Sequence, residues 1–263
     1  LLNIKNMNND LLLKTKYIRY PIFKLLYNMG DYKKNIINNY KNKYYGETIL
    51  IVGNGPSINR TPLNEFNIPA IGMNKINLLF DKTIWRPSII ICNNGLVMIQ
   101  NKEFFQKTEI PVLLDFKASL LRIRSNNISY FLTHFNNNFS DQFATNVGVS
   151  GTVTYSALQF AYFLGAKRII IVGVDHNFKG FDSTKTKKKM KVFKGHDENH
   201  FDPNYFRNQK WGLPDLYSSE EGYRKALNFF NENDIEIFDA TINGKLKIFP
   251  KITIDEAIKL AKQ

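Results

Sequence analysis

Short apolar, largely β-branched runs recur along the chain and end in polar or glycine-rich turns. Thr48–Val52 is such a run, closed by Gly53-Asn54-Gly55-Pro56-Ser57. Pro69–Met73 ends at Asn74, and Ser88–Cys92 ends at Asn93-Asn94-Gly95. Ile110–Leu114 and Ile128–Leu132 have the same character, as does Arg168–Val172, which runs into Gly173-Val174-Asp175-His176. Ile235–Phe238 is a late member of the series. Runs that are apolar throughout, with no alternating polar face, predict strands buried on both sides.

Between the strands the period changes. Thr152–Leu164 places Val153, Ala157, Phe160, Ala161 and Leu164 on one helical face, and Gly165 supplies a stop. Ser150 and Thr152 are its candidate caps. Ser218-Ser219-Glu220-Glu221 reads as another helix start, with Tyr223, Ala226, Leu227 and Phe230 as its stripe, and Thr253–Ala261 as a terminal helix. Strands alternating with helices predict an α/β fold: one Rossmann-like domain with a largely parallel sheet covered by helices. Its expected extent is 46–263, with 1–45 as a basic N-terminal helical arm. In such sheets ligands bind beyond the carboxyl ends of the strands. The four turns after Val52, Met73, Cys92 and Val172 would meet there, which argues for a single site.

Composition then excludes whole classes. The 263 residues are 43% hydrophobic and 22% charged, as in an ordinary folded domain. No run reaches the roughly 18 apolar residues of a membrane span. One cysteine, Cys92, leaves neither a disulfide framework nor a cysteine-rich zinc site. No leader is legible at the start, and the expected location is cytoplasmic, with peripheral contact at the inner membrane face an option.

The net charge of +13 is uneven. Residues 1–45 carry nine Lys/Arg against two Asp, a net +7. Such an arm suits an anionic membrane surface or simple solvation on the domain. No nucleic-acid motif accompanies the charge, which argues against nucleic acid as a partner. A second run, Lys185, Lys187, Lys188, Lys189, Lys191 and Lys194, predicts a mobile loop at about 179–198, either plain surface or a lid for a phosphate.

The candidate chemistry sits in the turns. Gly53, Asn54, Gly55 and Ser57 could cradle a phosphate with backbone N–H groups, although Pro56 removes one donor and no P-loop pattern is present. Asn74, Asn93 and Asn94 offer amides that read a base or sugar, or simply form turns. Ser150, Gly151 and Thr152 stand at a helix start that favours an anion. Asp175 and His176 on one side, and His196 and His200 on the other, bracket the Lys-rich run. A histidine there could take a proton from a hydroxyl nucleophile. The spacing of His176, His196 and His200 matches no standard zinc pattern, and no Asp-x-Asp pair occurs, so neither metal nor cofactor is expected.

Taken in order, Ile51-Val-Gly-Asn-Gly-Pro-Ser57, Gly148-Val-Ser-Gly-Thr152 with the helix after it, Ile171-Val-Gly-Val-Asp-His176, Asn199-His-Phe201, Pro214-Asp-Leu216 and Asp239–Phe249 resemble the MptE-like family over about residues 47–255. Some members of that family are 6-hydroxymethylpterin pyrophosphokinases. Others, the flagellin-modifying motility accessory factors, are linked to transfer of sialic-acid-like sugars. The chain is also distantly similar to small bacterial sialyltransferases that use CMP-sialic acid.

The resemblance implies that Asn54, Asn74 and Ser150 contact nucleotide or sugar and that His200 is the base. Those sialyltransferases have two tyrosines just after the Asp to steady the departing phosphate; here His176 and Phe178 stand nearest. The implied activity is an inverting, metal-independent glycosyltransferase, with a CMP-activated sugar as donor and a glycan or lipid-linked glycan as acceptor, building a surface polysaccharide. A homo-oligomer is compatible with this reading. The alternative is an ATP- and Mg²⁺-dependent pterin pyrophosphokinase, to which Asp175 could contribute a carboxylate. A non-catalytic nucleic-acid binder is the third, supported by charge alone.

Overall fold

A computed structural model describes residues 19–30, 34–134, 137–178, 190–192 and 195–263. Seven parallel strands form the central sheet: β1 (Thr48–Val52), β2 (Ala70–Met73), β3 (Ile89–Cys92), β4 (Val112–Asp115), β5 (Ile128–Phe131), β8 (Arg168–Val172) and β11 (Glu236–Asp239). Their order is β11-β8-β1-β2-β3-β4-β5. Two parallel bridges, β6 (Thr133–His134) with β7 (Val147–Gly148), and an antiparallel pair, β9 (Met190–Val192) with β10 (Lys210–Gly212), lie outside it.

Continuous apolar strands are possible because both faces of the sheet are buried. Leu50, Val52, Ile90, Cys92, Val112, Leu114, Ile170 and Val172 enter one core. Their neighbours Ile49, Ile51, Ile71, Met73, Ile91, Leu113, Ile169 and Ile171 enter the other. Strict alternation of the two sets is the period-two geometry of a strand applied to a doubly covered sheet.

The predicted strands sit where the pattern put them, to within two residues. The long helix is α6 (Val153–Phe163), capped by Thr152, whose Oγ1 accepts from the Thr154 amide; Ser150 does not cap it. The next helix, α7 (Leu216–Glu232), begins two residues before Ser218, because Asp215 is the cap and accepts from both the amide and the hydroxyl of Ser218. The terminal helix α8 (Ile254–Ala261) has a full capping box of Thr253 and Glu256. Three short helices not legible in the pattern, α3 (Gly95–Gln100), α4 (Lys102–Lys107) and α5 (Lys117–Leu120), link β3, β4 and β5.

From residue 19 onward the basic segment is built into the domain. α1 (Arg19–Met29) and α2 (Lys34–Asn38) lie at the β5 edge of the sheet. The Tyr27 hydroxyl reaches the carbonyls of Tyr130 (2.7 Å) and Ala144 (2.8 Å), and its ring meets Phe116 edge-on. The amides of Asn42, Tyr44 and Gly46 bond to the carbonyls of Phe163, Leu164 and Gly165, which satisfies the open end of α6. Of the expected mobile loop, 179–189 and 193–194 lie outside the described residues, and Lys191 stands on β9. Among the described residues no helix is long and apolar enough to cross a membrane.

The chain builds outward from β1 to β5, then returns to add β8 and β11 on the other side of β1. The order therefore reverses between β1 and β8, the position at which open α/β sheets leave a crevice at their carboxyl end.

Candidate functional site

Two loops interlock at that crevice. The Gly53 amide bonds to Val172 O, and the Gly55 amide to Gly173 O, both at 2.8 Å. A Cβ on Gly53 would overlap the Gly173 carbonyl, and one on Gly55 would overlap Asp175 Oδ2, so glycine at both positions is a matter of space. Asp175 lies over the turn that follows β1. It accepts from the Ser57 amide at 3.0 Å and from the Ser57 hydroxyl at 2.7 Å. Burial pushes the Asp175 carboxyl above its ordinary range, opposed by those two bonds from Ser57.

Three N–H donors of the expected phosphate cradle, those of Gly53, Gly55 and Ser57, are engaged within the protein, and Pro56 has none. What the loop presents to the crevice is Asn54. Its Nδ2 donates to Met73 O at 3.0 Å, and its Oδ1 is buried with no hydrogen-bond partner. Asn74, in the left-handed region at φ +53°, likewise has a buried and unpartnered Oδ1. Among the described residues four buried side-chain atoms are unpartnered in this way, and these two line the same cavity. Buried acceptors without donors are rare, and two in one cavity mark a place where a ligand's donors belong.

The cavity has two lobes. The smaller, about 150 Å³, is walled by Gly53–Gly55, Asn74, Asp175, His176 and His200. The larger, about 630 Å³, is walled by Asn74, Asn93, Asn94, Ser150–Thr152, His200, Phe206 and Trp211. Phe178 and His200 belong to both.

Several predicted residues are there for structure as well as for any ligand. Asn93 Nδ2 donates to Ser156 Oγ at 2.8 Å. Asn94 Oδ1 caps α3 by accepting from the amides of Leu96 and Val97. Buried Ser150 donates its hydroxyl to the Ser218 carbonyl, tying the α6 entrance to α7. Gly151 passes beside the Asp215 carbonyl, and Thr152 Oγ1 accepts weakly from the Tyr223 hydroxyl at 3.4 Å.

The histidines separate clearly. His196 is exposed and lines neither lobe. His176, at φ +51°, places Nε2 3.1 Å from Glu220 Oε1. That bond, with one from Arg224, holds the Glu220 carboxyl below the usual carboxylate range against the opposing effect of burial. His200 is the most fixed. Its Nδ1 lies 2.8 Å from Oδ2 of Asp197, whose side chain is fully buried, while Asp197 Oδ1 accepts from the Asn199 amide. The His200 ring stacks on Tyr205 at 4.0 Å and 8°, and Phe206 and Trp211 meet it edge-on.

Tyr205 is itself gripped at both ends by Lys75. The Lys75 amide donates to the Tyr205 hydroxyl at 3.2 Å, and Nζ donates to the Tyr205 carbonyl at 2.7 Å and to Gln209 Oε1. Burial lowers the Lys75 ammonium to about 8. Asp197, Lys75 and Tyr205 were absent from the predicted site. The Asp-x-x-His spacing was the one signal for Asp197; nothing local marks the other two.

Chemically, Asp197 fixes one His200 nitrogen as a donor and leaves Nε2 as a lone pair at the junction of the lobes. That is the arrangement of a general base held by a third group. Among the described residues no three His, Cys, Asp or Glu come together as a metal site.

The family model described as 6-hydroxymethylpterin diphosphokinase MptE-like matches residues 23–181. The chain belongs to the MptE-like family. The match starts within α1, so the family likeness reaches back into the basic segment that the motifs alone left outside it. No curated protein matches this MptE-like chain in sequence. Among solved structures it is similar to the MAf glycosyltransferase from Magnetospirillum magneticum AMB-1, with a TM-score of 0.51 and 15% identity. The likeness covers 88% of this chain and 41% of that one, so the chain spans less than half of its neighbour's length. At that identity the likeness is one of fold.

Proposed function

We propose that this MptE-like protein is a glycosyltransferase that moves an acidic, sialic-acid-like sugar from a CMP-activated donor to a hydroxyl of a glycan or lipid-linked glycan acceptor. The observation that carries the reading is the Asp197–His200 pair opening on a cavity that also holds the unpartnered oxygens of Asn54 and Asn74. The nucleotide's amino and hydroxyl donors fit those two oxygens. His200 Nε2 takes the proton from the acceptor hydroxyl as that oxygen attacks the anomeric carbon, and the bond from that carbon to the CMP phosphate breaks on the opposite side, inverting the centre. Positive charge on His176, when it is protonated, offsets the charge on the departing phosphate, in the place where the similar sialyltransferases have tyrosine. The net +13 charge draws an anionic donor toward the protein. The reaction belongs to the cytoplasm or the inner face of its membrane, where nucleotide-activated sugars are used.

The family description favours a second reading, a pyrophosphokinase acting on a pterin hydroxymethyl group. The same base would serve it. Its divalent ion needs carboxylate or substrate phosphate oxygens; of the carboxylates lining the two lobes, Asp175 already accepts two bonds from Ser57 and Asp215 two from Ser218, so an ion there competes with those bonds.

Thermal stabilisation by CMP, UDP, GDP and ATP, each with and without Mg²⁺, separates the readings. Stabilisation by CMP without metal, followed by CMP release from a CMP-sugar that is lost in His200→Ala, supports the transferase. Stabilisation by ATP alone, and only with Mg²⁺, overturns it in favour of the kinase.

A further inference from the structure

The outward face of α1 has no role in the cavity or the core. Phe23 and Tyr27, four residues apart, are buried against Phe116 at the β5 edge. The opposite face carries Ile22, Leu25 and Met29, at spacings of three and four, exposed by 50%, 60% and 77%. A helix whose buried face is already satisfied does not need three large apolar side chains in water.

The surrounding sequence carries the +7 charge of residues 1–45. Apolar side chains on one helical face within a strongly basic segment are what binds an anionic bilayer. The side chains enter the headgroup boundary, and the cations gain roughly 1 kcal/mol each near an anionic surface. A second copy of this chain is a poorer occupant. Three side chains fall well short of the roughly 800 Å² per partner that a stable interface needs, and equal positive charge would meet equal charge.

We propose that the α1 ridge of Ile22, Leu25 and Met29 is a docking surface for the anionic face of a lipid bilayer. Tyr27, on the inner face of α1, bonds to Tyr130, three residues before Thr133 in the wall of the larger lobe. The docking claim itself stands apart from the transferase reading and is tested without any activity.

The test is co-sedimentation of the full chain with phosphatidylcholine vesicles, with and without one-third phosphatidylglycerol, together with a fluorescent probe on the ridge. The expected result is binding to the anionic vesicles only, weakened at 1 M salt, where the Debye length falls to about 3 Å. Replacing the ridge (Ile22→Gln, Leu25→Gln and Met29→Gln together) should weaken binding by roughly tenfold or more with an unchanged melting temperature. Equal binding by that variant overturns the proposal.

Leu25→Cys carrying an environment-sensitive dye gives a second readout. The native Cys92 is buried, with its thiol pushed up to about 12, and will not compete for the label. A blue shift on adding anionic vesicles supports docking through the ridge. A probe already blue-shifted without vesicles means that another part of the chain or a second copy covers the ridge, and that overturns it. An unshifted probe in a vesicle-bound protein overturns it as well.

Discussion

His200 Nδ1 lies 2.8 Å from Asp197 Oδ2, three residues before it on the same segment, and the Asp197 side chain is completely buried. The pair dictates which ring nitrogen carries the proton. Asp197→Asn keeps the shape but removes the charge and lets the amide present its NH₂ to Nδ1, which favours the wrong tautomer. The expected loss in kcat is about 10²-fold, with KM nearly unchanged, against roughly 10²–10⁴-fold for His200→Ala. Full activity in either variant would remove His200 from the base role.

The two unpartnered oxygens give a binding prediction. Asn74 holds a left-handed backbone that glycine adopts freely and a β-branched residue resists. Asn74→Gly should therefore melt within about 1 kcal/mol of the wild type, yet lose most of the stabilisation that CMP gives. Asn74→Val should cost about 1–3 kcal/mol even without nucleotide. Calorimetry with and without CMP reads both. Undiminished stabilisation of Asn74→Gly by CMP would show that this oxygen does not face the nucleotide.

The sheet was legible because its strands are buried on both faces, so each reads as an uninterrupted apolar run, and the turns closing four of them mark the carboxyl rim. Helices α3 and α4 were not, because each spans under two turns and Asn94 caps the first with no apolar period to follow. A glycine-rich turn after a strand shows its donors in the sequence but not their partners, so the engagement of three N–H groups of the expected phosphate cradle was not legible. Asp175, which takes the Ser57 amide, is 118 positions away. Lys75 and Tyr205, 130 positions apart, were invisible for the same reason. Tyr27 lay hidden in a segment whose dominant sequence feature is charge. The residues alone offered His176, His196 and His200 together, and only the resemblance singled out His200; the Asp-x-x-His spacing is the one local sign of its partner Asp197.

The interlock between β1 and β8 makes Gly55 a sensitive position. A methyl group there would overlap Asp175 Oδ2 and force that carboxylate off Ser57. Gly55→Ala should destabilise by about 1–3 kcal/mol, a melting shift of a few degrees for a chain of this length. Pairing it with Asp175→Gly should recover part of the loss, because the clash disappears with the carboxylate. Losses that simply add in a double-mutant cycle would place the strain elsewhere.

Lys75 gives a pH prediction whose sign is fixed by its burial. Its ammonium titrates at about 8 in the folded chain, against an ordinary value of 10.5. Below about 8 both states hold the proton and the folded state carries the whole cost of burying the charge. Between the two values the unfolded chain binds more protons, so stability rises with pH; above the upper one the cost is gone. A displacement of that size corresponds to about 3 kcal/mol. Lys75→Met has no such titration. It also leaves the Tyr205 carbonyl and Gln209 without their donor, a loss that is the same at every pH. The stability of the wild type relative to Lys75→Met should therefore climb by about 3 kcal/mol from pH 8 to pH 10.5 in urea unfolding, whatever the starting offset. A flat difference would mean that Lys75 is not charged and buried as its bonds to Tyr205 require. Because Tyr205 carries the stacked His200 ring, the same variant should lower kcat more than it raises KM.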